Sequence, residues 1–139
     1  MNPLARLYGH QRLEGDDLLI AEMMPLMHKR LLEEGKAGEP IIDVLFELAI
    51  RLQIIGDVAK NAPIKKLGED CALALQKACD IANQQGKYII EPSTDQMRVI
   101  CRALEALAKL AHTVTKKTHL MAVFAAAELY GQIRQGAAA

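Results

Sequence analysis

The clearest alternation of apolar and polar positions lies between Pro40 and Lys60, where Ile41, Leu45, Leu48, Leu52, Ile55 and Ala59 repeat at spacings of four and three. That rhythm keeps side chains on one face of a helix turning every 3.6 residues. Phe46, Ile50, Ile54 and Val58 form a second stripe at four-residue spacing on roughly the opposite side, between Asp43, Glu47, Arg51 and Asp57. A helix on the rim of a small bundle has no use for that second stripe. The segment is expected to be either a central helix or one that meets a partner chain.

The rest of the chain reads as further helices. Asp16 or Asp17 suits an N-cap, Gly35 closes the segment, and Ile20, Met23, Met24, Met27 and Leu31 form its seam. Pro25 sits inside that segment, where a missing N–H predicts a kink. The three methionines read as core rather than as an adaptable docking groove. Pro40 belongs in the first turn of the second helix, which should stop near Asn61, and Pro63 opens a third. Ile64, Leu67, Cys71, Ala74, Ala78 and Ile81 are its seam and Gly86 its stop.

Ser93 followed by Gln96 is a capping box ahead of the cleanest heptad in the chain: Met97, Ile100, Leu104, Leu107, Ala111 and Val114. Thr113, Val114, Thr115 and Thr118 then lower helix propensity. An unbroken helix from Ser93 to Gln135 would run roughly 60 Å. A break is preferred, with Thr118 capping a fifth helix through Leu120, Phe124, Ala127 and Tyr130. The expected architecture is all-α: a compact up-down bundle of four to five helices with no β-sheet. Residues 1–15 read as an arm or short helix, 16–135 as one helical-bundle domain and 136–139 as a frayed tail.

Composition agrees. Within 139 residues, 51% are apolar, 24% charged and only 4% aromatic, with no tryptophan. A core built on Leu, Ile, Ala and Met favours helix over sheet. Lys plus Arg and Asp plus Glu both number 17, which argues against a dedicated nucleic-acid or membrane-surface binder. Residues 1–70 carry 9 basic and 12 acidic side chains and residues 71–139 carry 8 and 5, a mild dipole suited to orienting two chains head against tail. Cys71, Cys79 and Cys101 lack CxxC spacing and read as unpaired thiols in a reducing compartment. With no apolar run of about 18 residues, a soluble cytoplasmic protein is expected.

No residue pattern points to catalysis. His28, His112 and His119 lack metal-site spacing, and HxxxH, HExxH and ExxH are absent. Adjacent carboxylates at Asp16-Asp17, Glu33-Glu34 and Glu69-Asp70 diverge by about 100° on a helix and read as solvated charge. Ser93, the only serine, is used in its cap. No dinucleotide fingerprint or P-loop is present, and no cofactor or metal is expected.

Two surfaces remain. Phe46, Ile50, Ile54 and Val58 form the expected protein interface, since four apolar side chains left in water invite association. Arg102, Lys109 and Lys116, seven residues apart and flanked by Arg98 and Lys117, form a basic stripe that suits phosphate contacts. The preferred reading is a non-enzymatic regulatory or adaptor protein working through helical protein–protein contacts as a homodimer, with another protein as partner. The alternatives are a nucleic-acid-binding regulator using the basic stripe, and a small-ligand binder or enzyme with a pocket between helices. No membrane partner is expected.

Overall fold

Local chemistry decides where each helix begins and ends. The computed structural model describes residues 11–138, and within them five helices follow in order: α1 (Gly15–Glu33), α2 (Glu39–Val58), α3 (Ala62–Gln84), α4 (Thr94–Leu110) and α5 (Lys116–Ala138). The described residues contain no strand; a lone antiparallel bridge joins Arg12 to Thr115. Most of the arm expected at residues 1–15 lies outside the described residues. The tail expected to fray from 136 stays helical to Ala138.

α1 closes on Gly35, whose φ of 72° lets the Lys36 N–H reach back to the Leu31 carbonyl at 2.9 Å. α3 ends the same way at Gly86. α2 uses Lys60, at φ 53°, for this turn, a conformation that side chains resist. Ser93 and Gln96 make the capping box in both directions, at 3.2 and 2.9 Å. Two caps differ from expectation. α1 begins at Gly15 with no side-chain cap, leaving Asp16 and Asp17 in its first turn to face the helix dipole. The break before α5 is capped by Thr115, whose Oγ1 accepts the Thr118 N–H at 3.2 Å, so Thr118 is the residue capped.

α2 is the central helix, packing against all four others, most extensively against α3. Two glycines permit that approach. A Cβ on Gly68 would lie 2.8 Å from backbone atoms of Ala49 and Gln53, and one on Gly56 2.8 Å from the Lys65 Cα. α3 packs on α4, and α4 on α1, while among the described helices α5 packs closely on α2 alone. Leu45, Leu48 and Leu52 of α2, Leu75 of α3 and Ile100 and Leu104 of α4 are the large side chains at the centre.

Two seams fall on faces other than those read from the sequence. In α1 the inward residues are Pro25, His28 and Leu32, while Ile20, Met23 and Met27 are about half exposed or more. Pro25 and His28 are the reason. The proline ring packs as an apolar group, and His28 Nδ1 pairs with the Met24 carbonyl at 2.7 Å, so the imidazole enters the core with a partner. Met23 and Met27 therefore line an outer face with Leu19 and Leu26, while Met24 is half-buried. In α5 the inward residues are Ala122 and Ala126, and Phe124 points out at 70% exposure. Small residues let α5 lie close on α2. In α3, Ile81 of the expected seam is also exposed.

Candidate docking surface

The second stripe of α2 is where the architecture becomes unusual. Ile50 is only 6% exposed, Ile54 is half-buried, and Phe46 stacks on Tyr130 of α5 with centroids 5.5 Å apart and planes 13° from parallel. Val58, at the last turn, stays exposed. Three of the four residues expected to meet another chain are thus buried or half-buried within this one, Phe46 beneath Tyr130 of α5.

A polar clamp fixes this cover. Tyr130 donates its hydroxyl hydrogen to Asp43 at 2.7 Å, and Arg134 reaches Asp43 at 2.9 Å and Glu39 at 3.3 Å. Burial, then the hydrogen bond to the Asp43 carboxylate, pushes the Tyr130 phenol well above its ordinary range, so it remains a donor.

The cover is incomplete. α3 and α5 both lie on α2 but not on each other, and between them opens a cleft of about 480 Å³. Phe46 and Ile50 of α2 line it together with Leu73 of α3 and Leu129 and Ile133 of α5. The last three are about half exposed. Polar groups beside the cleft already have partners within the chain. Gln53 donates to the Gly68 carbonyl at 3.3 Å, Gln76 to Asp80 at 2.9 Å, and Tyr130 and Arg134 belong to the clamp.

The basic stripe is divided between two helices. α4 ends at Leu110 and the chain turns through residues 111–114, so Lys116 and Lys117 start a different helix from Arg98, Arg102 and Lys109. Arg98 pairs with Asp95 at 3.5 Å, and Glu105 beside the stripe pairs with Lys29 of α1 at 3.1 Å. The seven-residue spacing of Lys116 is therefore no guide to its direction.

The histidines are dispersed: His28 is in the core, His112 meets Glu22 at 2.9 Å across the α1–α4 surface, and His119 is half-buried at the start of α5. Among the described residues, no three His, Cys, Asp or Glu side chains converge as a metal site. All three cysteines are free. Burial pushes the Cys71 thiol up to about 12, and burial also raises those of Cys79 and Cys101. No described helix is long and apolar enough to cross a membrane.

No protein-family model, curated protein or solved structure matches this chain. Leu73, Leu129, Tyr130, Ile133 and Arg134 entered the site only with the structure. For the four on α5 the signal in the sequence is that helix's composition, with apolar residues on every side; such a helix calls for more than one neighbour.

Proposed function

We propose that this protein is a non-enzymatic regulatory or adaptor module that seats an apolar helix of a partner protein in the cleft between α3 and α5. The observation that carries the reading is a helix with apolar residues on every side, α5, that among the described helices packs closely on α2 and leaves an apolar cleft at its side. The volume falls in the range of small-molecule pockets, but such a ligand is oriented by polar groups, and each polar side chain here already makes a hydrogen bond within the chain. A helix suits the cleft better because its own backbone hydrogen bonds are internal and its apolar side chains bring no polar atom needing a partner. In this reading partner choice depends on shape and apolar area, with Leu73, Leu129 and Ile133 as the anchoring surface.

Photo-cross-linking amino acids placed at Leu73 and at Ile133, with Arg102 as a control position, test this in the source cells. One partner captured from both walls of the cleft and absent from the control is the expected result. Products of twice the chain's mass would instead give the cleft to a second copy, making the homodimer the function of this surface. Capture no better than at Arg102 would overturn the reading.

A further inference from the structure

At the opposite end of α5 from the clamp, a small cavity of about 10 Å³ lies where α1, α2, α4 and α5 converge. Arg51 of α2 and His119 of α5 both line it, and the rest of its wall is apolar, including Ile55, Leu107 and Val114. The Nε of Arg51 is buried and has no hydrogen-bond partner among the described residues. A guanidinium offers only donors and keeps its charge, so it needs an acceptor that this apolar wall lacks. The neutral imidazole of His119 has one: its unprotonated ring nitrogen. A cavity of this size holds about one water, enough to relay the bond if the two side chains do not meet directly.

We propose that Arg51 and neutral His119 form an acid-sensitive latch that holds the first turns of α5 on the bundle. Protonation converts this side-chain acceptor into a second cation and leaves two positive groups facing one cavity. The surroundings determine the balance. Asp17 of α1 favours the charged imidazole, Glu47 favours the charged guanidinium, and α4 with its following turn contributes only Leu107, Leu110, Ala111 and Val114. Burial, followed by the Arg51 charge, holds the His119 imidazole below its ordinary range. A base whose pKa is lower in the folded chain binds its proton preferentially when released. The latch is therefore complete above the ordinary histidine value of about 6.5, and its contribution is lost as the pH falls from there through the lower value that His119 has in the folded chain.

The α5 helix is built to respond by itself. Among the described helices it packs closely on α2 alone; it follows a turn at residues 111–114 and is tied at its start by Lys116 N–H donating to the Gln11 carbonyl at 2.7 Å. The inference concerns this helix and does not depend on any partner for the cleft.

Amide hydrogen exchange between pH 7.5 and 5.5, corrected for the intrinsic pH dependence of exchange, tests the latch above the range in which carboxylates ordinarily titrate. Protection across residues 116–136 should fall, by at most about tenfold per pH unit, the limit for one proton, while the amides of Ile100 to Leu107 hold. His119→Gln, which keeps an acceptor at every pH, should abolish the fall, and His112→Gln and His28→Gln should not. Arg51→Met removes the other cation at similar volume and should shrink the response, so the test survives if His119→Gln does not fold. Unchanged wild-type protection, or an equal fall in both His119→Gln and Arg51→Met, overturns the latch.

Discussion

α4 and α5 are adjacent in sequence and nearly opposite in design. α4 has one apolar face, a capping box at its start and close packing against α1, α2 and α3, with Ile100 and Leu104 fully buried. α5 is longer, has no comparable segregation of polar residues, and among the described helices packs closely on α2 alone, with Ala122 and Ala126 buried and Tyr130 stacked on Phe46. The first helix contributes to stability by what it buries. The second leaves Met121, Phe124, Leu129 and Ile133 in water, which costs solubility and gains nothing for a solitary chain. Stability is thus concentrated on one side of α2, and the capacity for contact on the other.

The sharpest test of that contrast is Leu104→Ala. Truncating a fully buried leucine costs about 2–5 kcal/mol, and urea denaturation should show the loss in the global transition. A midpoint close to wild type would mean that α4 is not the seat of stability. Gly68→Ala comes next. Helix propensity alone predicts a gain of about 1 kcal/mol, but the added methyl meets α2 backbone at 2.8 Å, and overpacking of this kind costs about 1–3 kcal/mol. A net loss of stability is expected, and a more stable variant would show that the α2–α3 approach can relax.

Tyr130→Phe keeps the ring stack and removes the hydroxyl from Asp43, which retains Arg134. The expected cost is about 1 kcal/mol, read as faster amide exchange in the C-terminal half of α5 with little change in α4. Equal loosening of both helices would erase the distinction between them. Phe124→Ser should have the smallest effect on folding, within about 0.5 kcal/mol, because that side chain is already in water. Its measure is light scattering at rising concentration, where any self-association of wild type through this face should diminish.

The parts of this architecture that sequence pattern reveals are those in which one physical rule acts alone. The 41–55 seam, the Ser93 box, the heptad of α4 and the stop at Gly35 each follow from spacing or φ. In α1 the rule failed because counting Ile and Met as core overlooked that Pro25 and a partnered His28 pack equally well. In α5 it failed because alanine carries little weight in a hydrophobic pattern, yet Ala122 and Ala126 allow the closest approach and so decide which face turns inward. The stripe of Phe46 and Ile50 was visible. Its covering by Tyr130 was not, since Asp43 and Tyr130 are 87 residues apart and no local pattern links them.

The three withdrawn thiols make this protein convenient at the bench. A maleimide reacts with thiolate, and burial holds Cys71, Cys79 and Cys101 mostly as thiols at neutral pH. A cysteine introduced at an exposed position such as Gln132 would react well ahead of them, so one dye or spin label can be placed on α5 without first rebuilding the core to remove the native sulfurs.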